Sequence, residues 1–146
     1  MTSGTEVLWV GHAIAGIFSF VFVVTGVIAG AGITERIKRI RETYTYKLHR
    51  KINTYATLLI VGTFVYGLWS RIAHGEPLFW QHVESFAVVL HGWWGLIVSI
   101  VAVFQIVSCF AVKDRRKTRR LHMVLGYSLV ILLVVQTVLG IESSIV

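Results

Sequence analysis

The sequence predicts an all-α membrane protein, a four-transmembrane-helix bundle with both termini outside, and three observations predict it. First, the 146 residues are 55% hydrophobic and 14% charged, where a soluble domain carries about a quarter charged residues. Second, the apolar residues fall into four runs, roughly 7–32, 52–73, 86–112 and 121–141, each near the ~20 residues that a helix needs to cross the hydrocarbon core. Third, thirteen of the fourteen Lys and Arg stand in the connections that follow the first and third runs.

The first run has no basic segment before it and is too long for the apolar core of a secretory signal, so it is expected to stay in the mature protein. After it come Arg36, Lys38, Arg39, Arg41, Lys47, Arg50 and Lys51, which lead into the second run. The loop around residues 74–84 separates the second and third runs and carries His74 and His82, read as solvated loop residues. Lys113, Arg115, Arg116, Lys117, Arg119 and Arg120 then precede the fourth run, and Arg71 alone lies apart from both basic clusters. By the positive-inside rule both basic connections face the cytoplasm, which puts the termini and the 74–84 loop outside. Residues 1–146 read as a single transmembrane domain, multi-pass in the cell membrane, with the lipid bilayer as its first partner. The formal charge of +7 is confined to two short loops, so no nucleic-acid partner is expected.

Cys109 is the only cysteine. That excludes an internal disulfide, a paired-cysteine metal site and the Cys-x-x-Cys-His sequence of covalent haem attachment; a small packing residue is its expected role. Trp9, Trp69, Trp80, Trp93 and Trp94 fall near the outer boundary and read as an aromatic belt.

Four of the six histidines, His12, His49, His91 and His122, each stand within about two turns of the start of a run. Ionisable side chains at membrane depth are costly, so four placed alike need a shared reason. An internal repeat accompanies them. The last two runs share a Gly four residues after the histidine (Gly95, Gly126) and a Gln fourteen after it (Gln105, Gln136). Eighteen residues after each of the four histidines comes a small residue: Gly30, Gly67, Cys109 and Gly140. At 3.6 residues per turn, offsets 4, 14 and 18 all lie within about 40° of the histidine, on one inward stripe, with the small residue about 27 Å further along. Such a residue serves either close helix packing or room for a flat cofactor held by the other two helices.

Topology pairs the histidines. Helices one and three put His12 and His91 near the outer surface, and helices two and four put His49 and His122 near the inner one. Two imidazoles on facing helices are the axial set of a low-spin b-type haem, and a bundle core is a usual place to build it. The pattern therefore predicts two haem b groups, bis-His ligated, with the four histidines on the haem irons. Zinc fits less well, because a two-His site would need further Cys, Asp or Glu ligands. Lys47, Arg50 and Arg120, beside the inner pair, read as snorkelling anchors that can also pair with haem propionates.

The segments YKLHRKINTYATLL, LHGWWGLIVSIVAVFQ and RRLHMVLGYSLVILLVVQTVLG resemble the helices of the cytochrome b561 superfamily, over nearly the whole chain. The resemblance implies the same ligand set, one histidine per helix, first with third and second with fourth, in a four-helix di-haem core. It looks like the bare core, without the flanking helices or fused extracellular domains of eukaryotic members. The implied function is transmembrane electron transfer between a small-molecule or protein donor on one side and an acceptor on the other. An alternative is the haem-bearing, quinone-linked membrane anchor subunit of a larger oxidoreductase. A metal-ion transporter is a third class, disfavoured because the spans lack carboxylates to neutralise a passing cation. Candidate protein partners are a second copy of the chain and a soluble redox partner.

Overall fold

A computed structural model describes residues 4–33, 46–73, 86–111 and 115–145, all of them helical. The helices are α1 (Gly4–Ile33), α2 (Tyr46–Ala73), α3 (Phe86–Ala111) and α4 (Arg115–Ile145). Each contains a stretch long and apolar enough to cross a membrane: Val10–Gly30, Leu48–Ala73, Val88–Ser108 and Thr118–Glu142. None of the described residues is a proline, so no backbone donor is missing inside the described helices. The 74–84 loop with His74 and His82, and the basic residues between 36 and 41, lie outside the described residues.

Two helices begin about six residues before their apolar runs. α2 starts at Tyr46 and α4 at Arg115, because Lys and Arg are good helix formers and carry the helix past the apolar segment into the polar boundary. His49 and His122 consequently sit inside continuous helix rather than at a frayed end.

The helices are arranged in a ring, α1 against α2, α2 against α3, α3 against α4, and α4 back against α1. The α1–α2 and α3–α4 contacts are the most extensive, and among the described residues the diagonal pairs α1/α3 and α2/α4 make no close backbone approach. Two antiparallel hairpins thus face each other across a central axis.

The solvent-side pattern is that of a lipid-facing protein. Large side chains such as Ile17, Leu58, Phe104 and Ile131 are exposed, while several of the buried positions are small: Ala29, Ala56, Ala102, Ser19 and Ser70. Small residues let helices approach closely where no aqueous hydrophobic effect drives them together. Midway along the bundle Val23, Ile60, Val98, Leu129 and Leu133 form an apolar core. Side chains also tie helix to helix there. Thr57 Oγ1 donates to Ala102 O at 3.4 Å, and the Ser19 and Thr63 hydroxyls lie 3.5 Å apart.

Trp94 departs from the aromatic belt. It packs against this core, and its Nε1 donates to Leu132 O at 3.0 Å, joining α3 to α4. An indole that faces a neighbouring helix gains more from a buried backbone acceptor than from the interface. Trp69 is exposed, as a belt residue would be; the side chains of Trp9 and Trp80 lie outside the described set.

Candidate functional site

Each of the four repeat histidines points into the bundle and meets the histidine of the diagonal helix. His12 and His91 hold their ring centroids 6.0 Å apart with planes at 76°, and His49 and His122 hold theirs 5.8 Å apart at 81°. Eighteen helical residues separate His12 from the level of His49, so the two tiers stand about 27 Å apart. The apolar core lies between them. Because the rings come from diagonal helices, each tier is centred on the bundle axis and closed off by the other two helices.

The floor under each ring comes from its antiparallel hairpin partner. A Cβ built on Gly30 would lie 2.9 Å from His49 Cε1, one on Gly67 would lie 2.9 Å from His12 Cε1, and one on Gly140 would lie 3.0 Å from His91 Cε1. The first two are closer than real Cβ contacts, so Gly30 and Gly67 are required wherever the rings stay in place; at Gly140 the ring would have to give by a few tenths of an ångström. Residue 109, the fourth small residue, has its side chain outside the described set. The offset of eighteen therefore has a specific local meaning: in the α1–α2 hairpin each helix supplies the glycine on which the other's imidazole rests, and in the α3–α4 hairpin Gly140 of α4 does so for His91.

The offset of fourteen has a meaning too. One turn before Gly30, the carbonyl of Gly26 accepts a hydrogen bond from His49 Nδ1 at 3.1 Å. One turn before Cys109, the carbonyl of Gln105 accepts from His122 Nδ1 at 3.3 Å and also from Ser108 Oγ at 2.8 Å. In the other tier His12 and His91 lie against the backbone of the equivalent residues, Thr63 and Gln136. There the contact does not close into a hydrogen bond, and both Nδ1 atoms are buried with no hydrogen-bond partner.

These contacts assign tautomers. A carbonyl only accepts, so Nδ1 of His49 and His122 carries the proton and Nε2 carries the lone pair. Asn53 Nδ2 donates to that lone pair on His49 at 3.1 Å. Gln136 Nε2 reaches His91 Nε2 at 3.3 Å and also donates to the His91 carbonyl at 3.2 Å; His91 is then Nδ1-protonated as well. Nδ1–H on a carbonyl with Nε2 directed at the site is the arrangement that orients a metal-bound imidazole.

Between His49 and His122 lies a cavity of about 50 Å³, bordered by Gly26, Gly30, Asn53, Gln105, Gly126 and Tyr127 among others. Arg50 and Arg120 do not border it; both are exposed, because each follows or precedes its histidine on the neighbouring, outward side of the helix. Lys47 lies in the first turn of α2 with its side chain outside the described set. Among the described residues no third His, Cys, Asp or Glu joins either pair to make a metal-binding group.

Several residues at the tiers carried no signal, or a misread one, in the sequence. Tyr66 stacks beside His12, with centroids 6.5 Å apart at 16°. Asn53 occupies the +4 position that is glycine in the other three helices, and its Oδ1 fills the space above Gly26. Gln105 and Gln136 were visible as repeat members, yet their amides lie over Gly126 and Gly95, each at 3.2 Å from a Cβ built there. That crossed pair locks α3 to α4.

Compared with protein-family models, curated proteins and solved structures, the chain matches none.

Proposed function

We propose that this chain is a di-haem b-type cytochrome of the cell membrane that carries electrons across the bilayer between a donor and an acceptor. The observation that carries the reading is the pair of diagonal histidine tiers, with centroids 6.0 and 5.8 Å apart. Two imidazoles bonded to opposite sides of one metal at about 2 Å hold their ring centres about 6 Å apart. The tautomers agree, since the lone pairs that Asn53 and Gln136 now occupy are those an iron would take. Two histidines without a carboxylate or thiolate suit a haem, which brings four nitrogens of its own, better than zinc. The helix segments that resemble the cytochrome b561 superfamily support the same ligand set.

When bound, each haem would supply a one-electron couple at an iron whose axial positions are both filled. The residues of the chain do the rest. His12 with His91, and His49 with His122, would hold the two groups on the bundle axis. Gly30, Gly67 and Gly140 let the rings seat against backbone, and the carbonyls of Gly26 and Gln105 fix ring orientation and raise ligand basicity. The apolar core between the tiers excludes water from the interval an electron would cross. Arg50 and Arg120, exposed at one end, fit interfacial anchors.

The test is a reduced-minus-oxidised absorption spectrum of the purified chain. Low-spin b-type bands, with haem extractable by acidic acetone, are expected; a colourless preparation that retains zinc overturns the reading.

A further inference from the structure

We propose that Tyr66 is the positioning residue of His12, its ring fixing the plane in which that imidazole would face a haem iron, so that the two tiers are held by different means. The inference rests on the di-haem reading and adds to it a residue that the histidine repeat does not contain.

The repeat itself singles out Tyr66. The residue before the histidine is Leu48, Leu90 and Leu121 in α2, α3 and α4, and Gly11 in α1. The residue before the small residue at offset eighteen is Ala29, Ser108 and Leu139 in α1, α3 and α4, and Tyr66 in α2. The first two helices thus depart from the pattern at matching places, with glycine for leucine on one and an aromatic ring on the other. The structure joins the two departures. A Cβ built on Gly11 would lie 3.2 Å from Tyr66 Oη and 3.8 Å from Cε1 and Cζ of the same ring. Ala29, the counterpart of Tyr66 at the other tier, is fully buried; the larger ring is admitted at residue 66 where Gly11 offers no side chain.

The ring so admitted lies against a candidate ligand. Tyr66 and His12 hold near-parallel planes, 16° apart, with centroids 6.5 Å apart, within the range at which aromatic rings attract one another. Tyr66 also meets Trp69, with centroids 6.0 Å apart at 36°, and Trp69 is exposed. His12, Tyr66 and Trp69 therefore form a file from the tier to the lipid-facing surface. The other tier is built differently. Among the described residues His49 has no aromatic neighbour but His122, and its ring is held by hydrogen bonds at both nitrogens, from Nδ1 to Gly26 O at 3.1 Å and from Asn53 Nδ2 to Nε2 at 3.1 Å. Backbone and amide orient His49; a stacked phenol ring orients His12.

The experiment uses the full chain in detergent, oxidised, and reads the electron paramagnetic resonance signal and the potential of each haem. The haem of His12 and His91 is identified as the one that His12→Ala lacks. The rings of that tier stand at 76°, and near-perpendicular axial imidazoles give a low-spin ferric haem a larger maximum g value than parallel ones. Tyr66→Ala should lower that g value and shift the potential of the same haem, by freeing His12 to turn. The signal of His49 and His122 should stay as in wild type, which also reports that the bundle is folded. Tyr66→Phe keeps the ring and should keep the wild-type signal. Gly11→Leu should displace the phenol and reproduce the shift of Tyr66→Ala. Gly11→Leu combined with Tyr66→Ala makes both positions those of the other tier, Leu48 and Ala29, without an aromatic ring, so the shifted signal should persist. In a wild type with two haems, an unaltered signal from Tyr66→Ala overturns the role of Tyr66. A wild-type signal from the double variant overturns it as well, because filling the space would then suffice. A shift in Tyr66→Phe equal to that in Tyr66→Ala does the same, because the hydroxyl would then be the group that acts. If Tyr66→Ala fails to fold, the double variant decides. A wild type without haem overturns the di-haem reading beneath it.

Discussion

The imidazole of His49 rests on Gly30 so closely that a Cβ there would lie 2.9 Å from its Cε1. The ring cannot move away freely, because its Nδ1 is held by the Gly26 carbonyl one turn earlier on the same helix. Gly30→Ala should therefore push the ring off its seat. Overpacking of this kind costs about 1 to 3 kcal/mol. The expected outcome is loss or a shifted potential of the haem of His49 and His122, with the other haem retained. Gly67→Ala and Gly140→Ala should do the reverse, since they seat His12 and His91. Redox titration of each variant checks this; three variants with two unaltered potentials would show that the rings have room the geometry denies them.

A second prediction concerns pairing. His12 meets His91 and His49 meets His122, so His12→Ala and His91→Ala should lose the same haem, and His49→Ala and His122→Ala the other. Difference spectra that grouped His12 with His49 would contradict the diagonal arrangement.

Asn53 offers a test of the haem-free state. Its amide donates to the His49 lone pair that an iron would need. Asn53→Ala should destabilise the haem-free chain by about 1 to 2 kcal/mol, the cost of leaving a buried acceptor unsatisfied, and leave the loaded chain nearly unchanged. Thermal unfolding with and without haem measures both. Equal destabilisation in the two states would mean that Asn53 acts only by packing over Gly26.

Trp94 supplies a contrast outside the tiers. Trp94→Phe removes the hydrogen bond to Leu132 O and should cost about 1 kcal/mol while both haem spectra stay as they were. A spectral change would place Trp94 within reach of a haem.

Most of the fold was legible in the sequence, because lipid-facing helices declare themselves by apolar length and the repeat placed one histidine in each. Topology alone then brought His12 to His91 and His49 to His122. What the glycines do was not legible. The stripe predicted space for a cofactor or for helix packing at Gly30, Gly67 and Gly140, whereas the structure fills that space with an imidazole from the hairpin partner. A helical wheel shows which residues share a face, but not what the antiparallel neighbour inserts there; that requires the register between helices. Asn53 and Tyr66 stayed hidden for a related reason, since each is singular and takes its meaning from the ring it touches. Trp94 was misplaced because an indole near a boundary fits a belt until the adjacent helix is seen to offer a carbonyl.

The central claim is that two histidine tiers hold two haems in one chain, and the haem-to-protein ratio of the purified wild type tests it most directly. The account predicts two b-type haems per chain, falling to one in each of His12→Ala, His49→Ala, His91→Ala and His122→Ala. A wild-type ratio of zero, or a ratio that no single histidine substitution lowers, would contradict it.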